Sequence, residues 1–311
     1  EVVYENEAAG VTLAGTLTLP EGEGPFPAAL MITGSGAQDR DETLFQHKPF
    51  WVIADHLTRR GVAVLRVDDR GVGGSTTGDD PESATSEDFV GDVLAGVAFL
   101  AKREEIAHDK IGLIGHSEGG VIAPMAAARS KDVAFIVLLA GTGVRGDELL
   151  MLQNELISRA DGMDEEELQR GLALNRKLFA LVLDDTLPSE ERKKAMREVV
   201  ESSPDLSEGK VGEQEVQAIL EQLATPWIQW FLRHDPGPVL EKVRCPVLAL
   251  NGTLDLRVPC EVNLSTIEAA LERGENPDHE VHAFEALNHL FQHCETGQLK
   301  EYGHIEETFS L

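Results

Sequence analysis

The chain alternates between continuous apolar runs and segments whose apolar residues recur at helical spacing. An uninterrupted apolar run is typical of a strand buried on both faces, as in a parallel sheet. Strands are predicted over 11–19, 28–33, 62–67, 111–114, 134–139, 246–251 and 280–284, the first of them near a sheet edge. Helices are predicted over 50–60, 89–100 (with Ser86 as its N-cap), 119–130 and 261–273. The pattern therefore predicts an α/β protein with a mostly parallel central sheet flanked by helices.

This alternation stops after residue 146 and resumes at residue 246. Between them the spacing is helical and without a clear strand pattern. Helices are predicted over 147–159, 165–183, 190–201 and 213–223. We therefore expect a core over 1–146, an inserted helical cap over 147–238, and the second part of the core over 239–311.

Aromatic side chains cluster late in the predicted cap, at Trp227, Trp230 and Phe231. Ligand pockets are mostly apolar, so these side chains are predicted to wall a substrate pocket. Ordinary packing of the cap explains the cluster equally well, and that alternative stays open at this point.

The chain is strongly acidic, since 27 Lys and Arg stand against 55 Asp and Glu, a net charge of −28. A polyanion repels nucleic acid phosphates and anionic membranes, so neither is an expected partner. The 3 cysteines form no CxxC pair, which argues against a disulfide framework and a zinc knuckle. No apolar run reaches the length of a membrane span.

One motif carries specific chemistry: Gly115-His-Ser-Glu-Gly119 matches G-x-S-x-G between a predicted strand and a small-residue helix. In this context the serine occupies a strained strand-to-helix turn, with its hydroxyl exposed at the carboxyl edge of the sheet. The flanking glycines are required because a Cβ would clash in so tight a turn. Ser117 is therefore the predicted nucleophile.

A serine hydroxyl needs a base, and the base needs an orienting carboxylate. The order Ser, Asp, His is met by Asp255 and His289, each in a loop after a predicted strand. Pairing with Asp255 is expected to raise the pKa of His289 above that of a free imidazole. A metal pair of His289 with His293 is the alternative, but the glutamate and third ligand of a zinc hydrolase are missing. No metal is therefore predicted.

Two other carboxylates, Asp68 and Asp69, also follow a predicted strand. They precede Ser117 in the chain, which is the wrong order for the catalytic acid. We expect them to be structural, together with Arg66 and Arg70.

Acyl transfer also needs donors for the developing oxyanion. The backbone N–H of Glu118, next to the nucleophile, is one predicted donor. The other is predicted in the glycine-rich loop 33–37, at Ser35, with Gly36 as second choice. A dinucleotide-binding loop is the rival interpretation, but the third glycine is absent and Asp39 and Asp41 would repel a phosphate. The segment 71–76 lacks a P-loop lysine and is interpreted as a turn.

Together these segments resemble the bacterial α/β-hydrolases known as esterases or serine aminopeptidase-like proteins, a group that includes dienelactone-hydrolase-like enzymes. The resemblance rests on five motifs, at 34–42, 67–75, 115–120, 250–255 and 287–291. It implies an α/β-hydrolase fold, hydrolysis of short to medium acyl esters, no cofactor, and a helical cap between the sixth and seventh strands. The family's last helix is not found, so a C-terminal piece is expected to be missing.

Three functions compete at this stage. The first is a carboxylesterase acting on a small-molecule ester. The second is a peptidase, aminopeptidase or thioesterase on the same fold. The third is a non-catalytic binding protein, which loss of a triad member would indicate, but none is lost. Because the chain begins at Glu1, removal of a leader is possible, so a bacterial cytoplasmic and a secreted location both stay open, as does the oligomeric state.

Overall fold

The computed structural model describes residues 1–203 and 212–310. Within them, 8 strands form one sheet in the order β1-β2-β4-β3-β5-β6-β7-β8. The strands are β1 Val2–Asn6, β2 Val11–Thr18, β3 Phe26–Ile32, β4 Ala63–Val67, β5 Ile106–His116, β6 Phe135–Leu139, β7 Val247–Gly252 and β8 His279–Phe284. The pairs β1/β2 and β2/β4 are antiparallel, and the pairs from β4/β3 through β7/β8 are parallel. The predicted mostly parallel sheet is therefore confirmed.

Each predicted helix has an observed helix close to its predicted position, and the short helices Pro226–Arg233, Gly237–Leu240 and Leu299–Tyr302 were not predicted. The helices are α1 Pro49–Thr58, α2 Ser86–Ala101, α3 Gly119–Arg129, α4 Gly146–Ala160, α5 Glu165–Leu183, α6 Ser189–Glu201, α7 Glu213–Ala224, α8 Pro226–Arg233, α9 Gly237–Leu240, α10 Cys260–Arg273 and α11 Leu299–Tyr302. Ser86, predicted as an N-cap, is already helical, and its hydroxyl donates a hydrogen bond to Glu118 (2.6 Å). Strand β1 was not predicted, and β5 begins at residue 106 rather than 111.

Alternation along β3 explains why helices cover both faces of the sheet. Ala29 and Met31 point to one face, where they pack in a cluster with Phe50 of α1. Leu30 points to the other face, where a Cβ on Gly96 of α2 would lie 2.3 Å from its Cδ1. Successive side chains of a strand alternate between faces, so a continuous apolar strand requires apolar cover on each side.

The chain forms two compact units. The first comprises Glu1–Pro81, Ser86–Val144 and Asp235–Leu311, and it contains the whole sheet. The second comprises Glu82–Thr85 and Arg145–His234, and it contains α4 to α8. Apart from Glu82–Thr85, the second unit therefore comes from the stretch of chain between β6 and β7.

The two ends of the helical unit meet at one point. The N–H of Gly146, the first residue of α4, donates to the carbonyl of His234, the residue after α8 (3.1 Å). A Cβ at Gly146 would lie 1.8 Å from the carbonyl oxygen of Phe231, so no other residue fits there without a backbone shift. The two ends of the helical unit are consequently in contact, and this contact is called here its closed base.

Buried side chains of α5 to α8 form a cluster of their own within this unit. Val182, Met196, Val200 and Leu232 are among its members, and Trp227 packs against it. The helical unit therefore has its own apolar core. Among the described residues, no helix combines the length and apolarity that crossing a bilayer requires.

Candidate active site

The turn between β5 and α3 presents Ser117. Strand β5 ends at His116 and helix α3 begins at Gly119, so two residues make the connection. Ser117 has a φ of 53°, in the left-handed region that residues with a side chain rarely adopt. Its N–H donates to the carbonyl of Leu139 on β6 (2.9 Å), which fixes the turn to the sheet. Such strain is typical of a functional position, because the surrounding structure has to maintain it.

Two glycines make this turn possible. A Cβ at Gly115 would lie 2.0 Å from the carbonyl oxygen of Gly119. A Cβ at Gly119 would lie 2.2 Å from the carbonyl oxygen of Ile32 on β3. Both contacts are with backbone, which cannot move aside as a side chain can. The G-x-S-x-G pattern is thus a steric requirement of the turn.

Asp255 and His289 form a buried hydrogen-bonded pair. Asp255 follows β7, His289 follows β8, and Oδ2 of Asp255 lies 2.8 Å from Nδ1 of His289. The other carboxylate oxygen, Oδ1, accepts from the N–H groups of Arg257 (2.8 Å) and Val258 (2.9 Å). Asp255 is 3% exposed and His289 is 6% exposed. A proton on Nδ1 satisfies the carboxylate and leaves Nε2 of His289 as the basic nitrogen.

His116 links this pair to the nucleophile turn. Its ring centroid lies 4.7 Å from that of His289. Its Nε2 lies 2.9 Å from the backbone carbonyl of His289 and donates to it. His116 directly precedes Ser117, so the structure brings the three predicted catalytic residues to the same edge of the sheet.

Burial lowers the pKa of His289, and the charge of Asp255 does not fully compensate. The neighbouring His116 and Arg257 lower this pKa further. Asp255 does raise the pKa of His289, but the expectation that this pKa lies above that of a free imidazole was wrong, because it ignored desolvation of the imidazolium. A lowered pKa keeps His289 neutral at neutral pH, which is the form that accepts a proton.

The loop of residues 33–38, called here the β3 loop, runs against the nucleophile. A Cβ at Gly34 would lie 3.3 Å from the Cβ of Ser117. The N–H of Gly34 donates to Oε1 of Glu42 (2.7 Å). Ser35 is exposed, and Gly36 has a φ of 94° with open space where a Cβ would be. Backbone conformation rather than lack of room therefore explains the glycine at position 36.

Asp69 holds the two ends of the β3 loop. Its Oδ1 accepts from the hydroxyl of Thr33 (2.7 Å) and its Oδ2 from the N–H of Gln38 (2.9 Å). Burial, together with the charges of Glu118 and Glu42, raises the pKa of Asp69 to about 7. The sequence offered no signal for this role of Asp69, because the hydrogen bonds of Asp69 join residues that are far apart in the chain.

The neighbouring charged residues do not pair as expected. Asp68 accepts from Nε (3.0 Å) and Nη2 (2.7 Å) of Arg40, not from Arg66 or Arg70. Arg70 instead pairs with Asp92 (2.6 Å), and Arg66 with Asp41. Asp68 and Asp69 are thus structural, but with other partners, because the segment 38–42 folds back beside β4.

The predicted pocket aromatics lie together on α8. Trp227 stacks on Phe231, with ring centroids 5.2 Å apart, and Trp230 stacks on His234 at 4.5 Å. Phe231 is buried. These contacts lie within the helical unit and do not test a role in a pocket, which stays a prediction.

The suggested metal pair separates in the structure. Nδ1 of His293 lies 2.9 Å from Glu307 Oε2, whereas His289 faces Asp255. Over the described part of the chain, no group of three or more His, Cys, Asp or Glu side chains is arranged to hold a metal ion.

Comparison with known proteins assigns the chain to a family. A sequence model of the "Alpha/beta hydrolase family" matches residues 30–296. Esterase EstD of Thermotoga maritima is 38% identical over 120 residues, which cover 38% of this chain but only 28% of that protein.

Solved structures show the same fold at low sequence identity. The alpha/beta hydrolase GrgF from Penicillium sp. sh18 has a TM-score of 0.55 at 19% identity, covering 93% of this chain and 90% of that one. Est1E from Butyrivibrio proteoclasticus, solved with ferulic acid bound, has a TM-score of 0.53 at 17% identity, covering 93% and 91%. The α/β-hydrolase fold predicted from the sequence is confirmed, and the chain belongs to the alpha/beta hydrolase family.

Proposed function

We propose that the protein is a serine carboxylesterase in which Ser117, His289 and Asp255 are nucleophile, base and orienting acid. One observation carries the proposal: the buried Asp255–His289 hydrogen bond of 2.8 Å, tied through His116 to the strained turn of Ser117. A nucleophile, a base and an orienter in this relation are what acyl transfer needs.

The reaction proceeds in two acyl-transfer steps. Nε2 of His289 takes the proton of the Ser117 hydroxyl as Oγ attacks the ester carbonyl, and Asp255 stabilises the imidazolium. The tetrahedral intermediate collapses, and His289 gives the proton to the departing alcohol. Water, deprotonated by the same nitrogen, then attacks the acyl-enzyme and releases the carboxylic acid and free Ser117.

The oxyanion of each intermediate is proposed to bind the backbone N–H groups of Ser35 and Glu118. The amide of Gly34 in the β3 loop already donates to Glu42. Ser35 follows it and is exposed at the loop's surface, so its N–H is the next donor available; Gly36 is the second choice. Donors held in place before the reaction stabilise developing charge without reorganisation.

Substrates are proposed to be small, neutral esters of short to medium acyl chains, with the helical unit as a cap over the site. The name of Esterase EstD and the esterases among the structural neighbours support ester hydrolysis. The net charge of −28 disfavours esters that carry a carboxylate, an effect that salt screens.

Replacement of the nucleophile tests the proposal. Ser117→Ala should lower kcat on p-nitrophenyl esters by about 10³-fold or more, because a triad acts as a unit. Ser130→Ala, a serine just beyond the other end of α3, is the matched control and should keep full activity.

The chemical class of the enzyme is tested alongside. A fluorophosphonate should label Ser117 in the wild-type protein, as located by peptide mass spectrometry. Near-normal esterase activity in purified Ser117→Ala would refute the mechanism. Faster turnover of amino-acid anilides or of thioesters than of oxygen esters would keep the triad but replace esterase by peptidase or thioesterase.

A further inference from the structure

Glu42 is a buried carboxylate that the mechanism above does not use. It is 1% exposed and has a φ of 52°, so its placement is both desolvated and strained. Its Oε1 accepts the N–H of Gly34 (2.7 Å) and lies 2.8 Å from Nδ1 of His116. Its Oε2 has no hydrogen-bond partner among the described residues, and Glu42 and His116 both line a small cavity. Placing a carboxylate there costs free energy, which its contacts have to offset.

The proton positions follow from the acceptors around His116. Nε2 faces the carbonyl oxygen of His289, which only accepts, so Nε2 carries a proton. Burial disfavours a second proton on the ring, but the charge and hydrogen bond of Glu42 outweigh it and raise the pKa of His116. Nδ1 faces Oε1 of Glu42, which already accepts the N–H of Gly34, so a proton on Nδ1 lets His116 donate from both nitrogens with Glu42 as its counter-ion.

We propose that Glu42 is a positioning residue for the esterase reaction, with one carboxylate oxygen holding two parts of the site in register. It fixes the β3 loop directly at Gly34, next to Ser117. It fixes the base indirectly, because His116 holds the backbone of His289. The inference rests on the proposed function and adds to it a link between the oxyanion donors and the general base.

Only a carboxylate serves both contacts at once. With Glu42→Gln, an amide oxygen can accept from Gly34, but the buried imidazolium then loses its counter-ion. An amide nitrogen can donate to a neutral His116, but it then faces the N–H of Gly34. Glutamine preserves the size of the side chain and breaks one of the two contacts in either orientation.

Glu42→Gln is therefore the central variant. Its kcat should fall about 10- to 100-fold with KM changed little, because a small misplacement of the reacting groups slows the chemical step. Asp92→Asn is the matched control: Asp92 is 9% exposed and bonded to Arg70 and Asn6, away from the β3 loop. It should lower the melting temperature but leave kcat within about twofold.

The pH profile separates positioning from general destabilisation. The charged groups that face His289 are Asp255, His116 and Arg257. In Glu42→Gln the side chain at position 42 is neutral, so His116 loses its second proton. The positive charge on the His116 ring, whose centroid lies 4.7 Å from that of His289, then disappears. The acid limb of kcat/KM should then move to higher pH in Glu42→Gln and stay in place in Asp92→Asn.

A second variant, His116→Asn, tests the proposal if Glu42→Gln does not fold. His116→Asn keeps a donor near Glu42 but cannot reach the His289 carbonyl, so kcat should again fall. Unchanged kcat in either variant, or a kcat loss without a shift of the acid limb in Glu42→Gln, overturns the proposal. The function is tested separately: if fluorophosphonate does not label wild-type Ser117, the esterase mechanism itself fails; if labelling is normal and Glu42→Gln behaves as Asp92→Asn, only the positioning role fails.

Discussion

Asp69 should make the stability of this protein depend on pH, and Asp69→Asn should remove that dependence. The carboxyl is partly buried and spans Thr33 and Gln38 at the ends of the β3 loop. An asparagine resembles the protonated acid: its oxygen accepts from Gln38 N–H, and its amide donates to the Thr33 hydroxyl. The variant therefore keeps the loop contacts and loses only the ionisable proton.

The magnitude follows from the pKa of Asp69, about 7 in the folded protein against 3.8 for an aspartate side chain in the unfolded chain. Because the folded-state pKa is raised, the stabilisation is complete below the unfolded value and is lost as pH rises through the folded value. At ~1.4 kcal/mol per pH unit, the total loss is about 4 kcal/mol. About 3 kcal/mol of it falls between about pH 5 and pH 8.5.

Equilibrium urea unfolding at these two pH values measures the effect. The free energy of unfolding of Asp69→Asn, relative to wild type, should rise by about 3 kcal/mol from the lower to the higher pH. Asp109→Asn, an exposed position on β5, controls for removal of a carboxylate. If the free energy of unfolding changes with pH in the same way in wild type and in Asp69→Asn, the raised pKa of Asp69 is refuted.

Three further outcomes are expected. The acid limb of the wild-type kcat/KM profile should lie below the ~6.5 of a free imidazole, because burial lowers the pKa of His289; a limb above that value would contradict the direction. Gly115→Ala should destabilise the protein by about 1–3 kcal/mol in urea unfolding, since its Cβ meets the Gly119 carbonyl at 2.0 Å; unchanged stability would show that the turn relaxes. Trp227→Ala should lower the melting temperature because Trp227 packs in the helical core, and unchanged relative rates across acyl lengths in Trp227→Ala and Trp230→Ala would count against the pocket prediction.

The elements that the sequence predicted well are those with a strong local pattern. Strands such as β3 and β6 are continuous apolar runs, and α5 was predicted over 165–183, the range the structure shows. Strand β1 was missed because its inward positions include a polar residue, Asn6, whose amide donates to Asp92 of α2 (2.7 Å). A buried polar pair of this kind interrupts the hydrophobic alternation on which strand prediction depends.

The same distinction applies to the site. Ser117, Asp255 and His289 could be predicted as a triad because motif and chain order limit the candidates. Glu42 and Asp69 were not, because their partners His116 and Thr33 lie 74 and 36 residues away and no spacing rule connects them. The pKa of His289 was predicted in the wrong direction because a sequence names charged neighbours more readily than it measures burial.

The closed base of the helical unit has a consequence for how this enzyme can change. The chain leaves and re-enters at Gly146 and His234, which are already hydrogen-bonded at 3.1 Å. The entropic cost of loop closure grows only slowly with length, so a longer insertion between these two points costs the core little more. A longer or shorter insertion between these two residues would therefore leave unchanged the connections of the strands that Ser117, Asp255 and His289 follow.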